Sequence, residues 1–446
     1  MPESNLNPDR HDKLTKAFLV GIQLPEATRE EAEELLEELR ELVNTLGLEI
    51  VGSDLARIRQ RTPAYAIGPG TAKELVDKAK QAEADVIIID DPLTPAQQRN
   101  WEKLADLSVI DRQEVILDIF ASRAHTREAT LQVALAKAQY ALPRLKRRWT
   151  HLSRQRGAAG GLGGRAEGEQ QLELDSRVIR SKIAKLHEQL AEVRKQRDTQ
   201  RQQRLRKPVP VATIVGYTNA GKSSLLNALT KAGVFAEDKL FATLDPTVRR
   251  FRLPGGQDIL LADTVGFIRK LPHQHVEAFK ATLEETRLAD YIIEVLDASA
   301  PNLAAHHATT RQVLQDIGCE LNHTVTVLNK IDQVTAEQIA TMLYKFPNAL
   351  LVSAKTGAGL EDLAEELERR TTEVLDTVMA LIPHDRYDLI ARIHQLCSIQ
   401  EESFLGQGVF LVFKQNDKIR EALAPFLVDE RPTEALSAAN QAGGQS

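Results

Sequence analysis

Between Gly216 and Ser223 the chain reads GYTNAGKS, a G-x-x-x-x-G-K-[ST] spacing. An apolar run, VATIV, precedes it and a segment of helical character, SLLNAL, follows. That context turns a glycine-rich turn into a phosphate loop. Successive backbone N–H groups and a helix N-terminus cradle the phosphate charge. Lys222 is placed to reach the β- and γ-phosphates, and the Ser223 hydroxyl is a Mg²⁺ ligand.

Further on, LLADTVG ends an apolar run on Asp263, with Gly266 three residues later. A carboxylate there supports the Mg²⁺ shell, and a glycine lets its N–H approach the γ-phosphate. VTVLNKID then supplies Asn329, Lys330 and Asp332 at the end of another apolar run. The Asp332 carboxylate can accept from guanine N1–H and the 2-amino group, while the Lys330 stem lies along the ring. Adenine offers neither donor, so a site built on these bonds discriminates by roughly 10⁴-fold. LLVSAKTG places Ser353, Ala354 and Lys355 where backbone N–H groups can meet the guanine oxygen. Four motifs in this order predict a GTPase domain.

LFATLDPTVRR lies between the phosphate loop and Asp263. A threonine that senses Mg²⁺ and the γ-phosphate belongs in this segment, which orders and releases with the nucleotide. Thr243 is the first choice and Thr247 the second. The residue after Gly266 is Phe267, whose apolar side chain cannot orient an attacking water as a glutamine would. Slow intrinsic hydrolysis, accelerated by a partner or an element in cis, follows.

These motifs need a sheet to present them. Apolar runs at Val209–Val215, Val248–Leu253, Ile259–Ala262, Tyr291–Asp297, Thr324–Leu328 and Ala349–Ser353 alternate with helical stretches. The pattern predicts an α/β fold, a mostly parallel sheet with helices on both faces. Upstream, Phe18–Gln23 and Asp85–Asp90 read as strands and Arg29–Leu46 as an acidic amphipathic helix. Thr94 is suited to N-cap a helix that has Pro95 in its first turn. This predicts a small βαβ-type domain. YAIGPGTAKEL (Tyr65–Leu75) reads as a tight turn before a helix rather than a second phosphate loop. VFLVF (Val409–Phe413) is a strand of a small C-terminal α/β domain.

Between these domains lies the clearest periodicity of the chain. Leu131, Leu135, Ala138, Leu142, Leu145, Trp149 and Leu152 repeat with heptad spacing, as do Leu172, Ile179, Ile183, Leu186, Leu190 and Val193. An antiparallel hairpin with arms of at least ~33 Å is the economical solution. Pro143 is expected to kink the first arm. The glycine-rich stretch Gly157–Gln170 is expected to be an exposed, non-helical tip. The expected division is 1–124 for the N-terminal domain, 125–207 for the hairpin, 208–374 for the GTPase domain, 375–430 for the C-terminal domain and 431–446 for a disordered tail.

Charge sharpens the hairpin reading. The chain carries −6 overall, yet residues 144–207 hold 18 Lys+Arg against 7 Asp+Glu, leaving 39 positive and 56 negative elsewhere. A +11 block in an otherwise acidic protein marks a polyanion-binding surface, and Arg147, Arg148, Arg154, Arg156 and Arg165 crowd its tip. Cys319 and Cys397 are the only cysteines, which excludes a thiolate metal cluster or a disulfide framework. The polar start, MPESNLNPDRHDK, predicts no secretory leader, and no apolar run is long enough to span a bilayer. With 4% aromatic residues, a base-stacking platform is not expected.

The sequence resembles the HflX-type translational GTPases over nearly its whole length. LTPAQQRN, VIDR, ILDIFASRA, LQVALAKAQY, LPRLKRRWTHLSRQRG, GYTNAGKS, LFATLDPT, ADTVGFIRKLP and AFKATLEET carry the resemblance. It implies a cytoplasmic, monomeric GTPase that binds the large ribosomal subunit and its rRNA and separates or rescues ribosomes. By motif match it implies GTP contacts at Gly216, Tyr217, Thr218, Asn219, Ala220, Gly221, Lys222 and Ser223, and at Phe241, Ala242, Thr243, Leu244 and Asp245. Further contacts follow at Asp263, Thr264, Val265, Gly266, Asn329, Lys330, Ile331, Asp332, Ser353, Ala354 and Lys355. Mg²⁺ falls to Ser223 and Thr243, with Asp263 behind them, and the catalytic set is Lys222, Thr243, Gly266 and Asn219. Several GTPases similar to this one use an asparagine at the place of Asn219 to ligate a monovalent cation, so K⁺ is a candidate cofactor. The chain departs from the family in AEGEQQLE (Ala166–Glu173), where GPGETQLE is usual, though Glu169, Gln171, Leu172, Glu173 and Asp175 still match. Two other readings compete: a GTPase for RNA modification or membrane traffic, and an RNA-binding scaffold whose GTPase domain only senses nucleotide.

Overall fold

The computed structural model describes residues 15–156, 163–204, 209–230, 240–241, 243–244, 247–270, 286–374, 377–397, 399–415 and 417–431. They fall into two units. Met1–Gln196, Glu237–Asp245 and Ile268–Ala281 form the first, and Arg197–Ala236, Pro246–Phe267 and Thr282–Ser446 the second.

The first unit contains a wholly parallel four-stranded sheet: β1 (Lys16–Gln23), β2 (Glu49–Arg57), β3 (Val86–Ile89) and β4 (Ser108–Asp111) in the order β2-β1-β3-β4. Helices α1 (Arg29–Leu46), α2 (Pro69–Gln81) and α3 (Pro95–Ala105) make the crossovers. Parallel strands covered by helices need apolar residues on both faces, and Val86 to Ile89 are all buried. Thr28 and Glu31 close a capping box on α1; Thr94 and Gln97 close another on α3, with Pro95 in its first turn. Gly68 precedes α2, so YAIGPGTAKEL does lead from a turn into a helix.

Helix α4 (Arg112–Arg123) leads into the hairpin arms α5 (Arg127–Arg156) and α6 (Gly163–Arg204). Leu135, Leu186 and Leu190 pack together with Leu131, Ala134 and Ile183, so the two apolar seams meet. The base of the first arm is locked to the sheet. Arg144 donates to Gln98 at 2.8 Å, to the Leu93 carbonyl at 2.9 Å and to buried Asp111 at 3.2 Å, and Tyr140 donates to Asp111 at 2.9 Å. One expectation changes. Gly163–Gln170 is the first two turns of α6 rather than loop, because the flanking Gln- and Glu-rich run propagates a helix through its glycines. Helix α5 runs through Pro143. Residues 157–162, the remaining tip, lie outside the described residues.

The second unit holds a six-stranded sheet in the order β10-β9-β8-β5-β7-β6. Its strands are β5 (Val211–Gly216), β6 (Thr247–Arg252), β7 (Asp258–Asp263), β8 (Tyr291–Asp297), β9 (Thr324–Asn329) and β10 (Leu350–Leu351). All pairs are parallel except β6 with β7, and α7 (Lys222–Thr230), α8 (Leu303–Asp316), α9 (Ala336–Lys345) and α10 (Leu360–Val374) accompany them. The class is α/β with a phosphate-loop GTPase domain. A three-stranded antiparallel sheet, β11 (Thr377–Ile382), β12 (Ile399–Leu405) and β13 (Gly408–Lys414), packs with α11 (Tyr387–Leu396) and α12 (Asp417–Leu423) over its own core of Ile382, Leu389, Ile393, Leu411 and Phe413. Of the expected tail, 431–446, Arg431 is described and pairs with Glu401, and 432–446 lie outside the described residues.

Candidate nucleotide site

Strand β5 delivers the phosphate loop. Gly216 has φ +150°, and a Cβ there would lie 2.2 Å from the Val295 carbonyl of the neighbouring strand. Asn219 takes a left-handed φ of +61°, as asparagine tolerates better than most residues, and Gly221 takes +89°. Lys222 opens α7 and is buried, with Nζ donating to the Tyr217 carbonyl at 2.8 Å. Burial lowers its pKa to about 8, an effect opposed by the charge of Asp263. Ser223 Oγ donates to Asp263 Oδ2 at 2.6 Å. This hydroxyl beside a buried carboxylate is the hard oxygen set that Mg²⁺ accepts.

Strand β7 ends on Asp263, and Thr264, also buried, ties the next turn down by donating to the Ile214 carbonyl at 2.7 Å. Val265, Phe267 and Ile268 are buried as well. Phe267 pairs both ways with the phosphate-loop strand: its N–H donates to the Gly216 carbonyl at 3.1 Å, and its carbonyl accepts from Thr218 N–H at 2.8 Å. Gly266 is thereby pressed against the loop, and a Cβ on it would lie 2.8 Å from Thr218 Cα and 2.9 Å from Lys222 Nζ. A glycine at this place is a steric requirement.

The base-recognition residues come together at the ends of β9 and β10. Buried Asn329 donates from Nδ2 to the Ala220 carbonyl at 2.9 Å and accepts on Oδ1 from Ala354 N–H at 3.0 Å. Lys330 takes φ +63° and pairs with Asp297 at 2.7 Å. Ile331 N–H donates to the Val352 carbonyl at 3.4 Å. Asp332 accepts from Ser353 Oγ at 2.6 Å, a bond that lowers its pKa below the usual carboxylate value and keeps it an acceptor. Lys355 contributes to the same lowering by its charge.

Asp297 and His306 were not expected from the sequence. Asp297 ends β8 in DASAP, and an acidic residue at a parallel strand's carboxyl end was the available signal. The His306 ring stacks on Tyr217 at 3.8 Å with a 7° interplanar angle, a pairing for which AAHHATT gives no signal.

Other expected site residues belong to the first unit. Among them Leu244 is buried, Thr243 half-buried, and the Phe241 ring meets Phe120 edge-on with centroids 4.6 Å apart. Ala242 and Asp245 lie outside the described residues. Arg147, Arg148, Arg154 and Arg156 fall on the distal turns of α5, and Arg165 on the first turn of α6 rather than in a loop. Among the described residues, no helix is long and apolar enough to cross a membrane.

Three family models match along the chain: a GTP-binding GTPase N-terminal region over residues 33–121, a GTP-binding GTPase middle region over 123–204, and a 50S ribosome-binding GTPase over 211–330. A GTPase HflX of Akkermansia muciniphila is 43% identical over 94% of this chain and 99% of its own length. The GTPase HflX of Escherichia coli K12 is 42% identical over 88% of this chain and 92% of its own. A solved GTP-binding protein of Sulfolobus solfataricus in complex with GDP is similar at 23% identity, covering 81% of this chain and 100% of that one, with a TM-score of 0.43.

Proposed function

Because the chain belongs to the HflX family of GTPases, we propose that it spends its hydrolysis of GTP on the large ribosomal subunit, in ribosome splitting, rescue or biogenesis. Two features support this reading: the +11 block over residues 144–207, which lies on the hairpin, and the ribosome-binding GTPase family that matches residues 211–330. A long helical arm carrying arginines at its far end is suited to reach into rRNA, whose phosphates reward concentrated positive charge. The work is placed in the cytoplasm, where ribosomes are.

In this proposal the loop from Gly216 to Ser223 holds the phosphates through its N–H groups, and Lys222 spreads its charge over the β- and γ-oxygens. Ser223 and Thr243 would hold Mg²⁺, with Asp263 bonded to Ser223; the ion would neutralise charge on the phosphate oxygens. Gly266 N–H meets the γ-phosphate. Asp332 and Lys330 select guanine, while Asn329 keeps the phosphate and base loops in register. Phe267 cannot hold the attacking water, so the bound ribosome is assigned the role of organising it. Asn219 offers a neutral amide oxygen beside the phosphates, and a K⁺ there would offset charge developing between the β- and γ-groups.

Sedimentation with isolated subunits decides the main point. Co-migration with the large subunit under a GTP analogue, weaker under GDP and absent with the small subunit, is expected. Failure to co-migrate in either nucleotide state overturns the ribosomal assignment.

A further inference from the structure

Helix α4 and the first hairpin arm, α5, are antiparallel neighbours within the first unit, joined through residues 124–126. Asp111, Glu114 and Asp118 recur at steps of three and four, which puts them on one stripe from the N-cap of α4 onward. Lys137, Tyr140 and Arg144 do the same on α5. The two stripes meet, each step down α4 answering a step up α5. Lys137 pairs with Asp118 at 2.7 Å. Tyr140 Oη donates to Asp111 at 2.9 Å and lies 3.3 Å from Glu114 Oε2, and Arg144 pairs with Asp111 at 3.2 Å.

Arg144 also reaches past α4. Its Nε donates to Gln98 of α3 at 2.8 Å and its Nη2 to the Leu93 carbonyl at 2.9 Å, while Nη1 donates to the Tyr140 carbonyl at 3.1 Å. The guanidinium carbon lies 3.3 Å from the centre of the Tyr140 ring. Five N–H donors in a rigid fork suit such a seat, which the point charge of a lysine does not fill. The helix that Arg144 holds to is itself fixed. Buried Arg112, at the start of α4, pairs with Glu38 of α1 and with Asp90 beyond β3. Lys270 completes that cluster by bonding the Asp90 carbonyl at 3.1 Å, Asp90 Oδ2 at 2.8 Å and Asp91 Oδ1 at 2.9 Å, and Arg269 donates to Glu38 at 3.2 Å.

A polar seam of this kind sets register as well as contact. Sliding α5 by one turn would take the cation away from buried Asp111. Beyond Arg144 the helix continues from Leu145 to Arg156, about 18 Å at 1.5 Å per residue. A tilt of ~10° at Arg144 would carry Arg156 sideways by ~3 Å, the length of a hydrogen bond.

We propose that Arg144, although it opens the basic block, is not a ligand of RNA but a positioning residue: it aims the arm, so that the arginines beyond it meet rRNA phosphates already in place. Its side chain is only 17% exposed, and its donors are spent on Gln98, Leu93, Asp111 and Tyr140. The inference rests on the reading of the hairpin as the rRNA-binding element. Without the seat, binding bears the cost of ordering the arm.

The test uses the full-length chain and isolated large ribosomal subunits, with a GTP analogue bound, over a series of salt concentrations. Arg144→Gln is expected to weaken binding about tenfold at every salt, leaving the slope of log affinity against log salt unchanged. An arginine on a phosphate would instead flatten that slope by about one. Arg144→Lys is expected to recover little of the loss. Asp111 keeps its bonds from the Leu93 and Glu114 N–H groups at 2.9 and 3.0 Å, so the variant is expected to fold. If it does not, Tyr140→Phe is read by the same criteria, with a smaller loss. Unchanged affinity or a flattened slope overturns the proposal. Arm position is read separately, without ribosomes, from the distance between spin labels at Lys73 on α2 and Ser153 on α5, with Cys319 and Cys397 replaced by serine. Arg144→Gln is expected to broaden a narrow distribution, and an unbroadened one also overturns the proposal. If the unsubstituted chain binds no large subunit while the distribution broadens, the ribosomal reading fails and Arg144 still aims the arm.

Discussion

Asn329 is hydrogen-bonded to Ala220, 109 positions earlier in the chain, at 2.9 Å, and the same amide accepts from Ala354 at 3.0 Å. One buried side chain therefore holds the phosphate loop and the loop of Ser353 in register. The neighbouring glycine must stay a glycine, because a Cβ on Gly221 would lie 2.3 Å from Asn329 Nδ2. Recognition of phosphate and of base is coupled through this contact, which is why Asn329 belongs to the site although it is positioned to brace the loops.

Asp332→Asn is expected to turn base preference from guanine towards xanthine. The amide still accepts from N1–H but presents a donor where guanine also has one and xanthine has an oxygen. GTP affinity should fall by on the order of 10³-fold while xanthosine triphosphate gains. Competition binding with both nucleotides checks it, and undiminished GTP binding would contradict the guanine assignment.

Lys222 gives a pH signature. Its pKa in the folded protein is lowered to about 8, so the free site loses its ammonium above that pH while a bound triphosphate requires it. GTP binding is then accompanied by proton uptake, and the affinity should fall by up to about one decade per pH unit above pH 8. Calorimetry in two buffers of different ionisation enthalpy measures the uptake. Lys222→Met should bind weakly and without this slope.

Glu114 gives a second pH signature, in the stability of the first unit. Burial, aided by the charges of Asp111 and Asp118, raises its pKa to about 7 from 4.5. The folded chain therefore binds a proton between those values that the unfolded chain does not, and stability falls as pH rises through that window. Glu114→Gln should remove this dependence and stabilise the protein at pH 8 by of order 1–3 kcal/mol. Denaturant melts at pH 5 and pH 8 make the comparison; a gain at pH 5 as large as at pH 8 would rule out titration as the cause.

Asn219→Ala probes the cation. Hydrolysis by the unsubstituted chain is expected to be faster in K⁺ than in Na⁺ at equal ionic strength, by about tenfold, and the difference should vanish in the variant. The measurement is made with and without ribosomes. Equal rates in both salts would leave Asn219 as a turn residue.

Replacing Arg147, Arg148, Arg154 and Arg156 with glutamine should flatten the salt dependence of ribosome binding. If each contacts one phosphate of structured rRNA, the slope of log affinity against log salt falls by about 3. An unchanged slope would make the arginines a solvated surface.

The site was legible because phosphate loops and base-binding loops need particular residue types at fixed spacing, and GYTNAGKS, DTVG, NKID and SAK have them. Helix Arg29–Leu46 was legible to the residue, since Thr28 and the following acidic turn mark its start. Strand β2, EIVGSDLAR, was not: it is an edge strand whose residues are mostly half-buried, so its alternation is blurred. Strand β4 is four residues long, too short for periodicity to speak. The glycines of Gly163–Gln170 suggested loop because intrinsic preference was weighed without the long helix that follows. The seat of Lys270 was invisible in principle, since ion pairs between residues far apart in sequence leave no local pattern.

That distance has a consequence for synthesis. Asp90 precedes Lys270 by 180 positions. At about 5–20 residues per second, a growing chain exposes Asp90 for roughly 10–40 s before its lysine is even polymerised. The four-stranded sheet of the first unit can pair its strands early, from β1 to β4, but its acidic edge stays short of two cations through that interval. The N-terminal unit is completed by amino acids translated after the phosphate loop, so its last folding step waits until the first strands of the GTPase domain have been made.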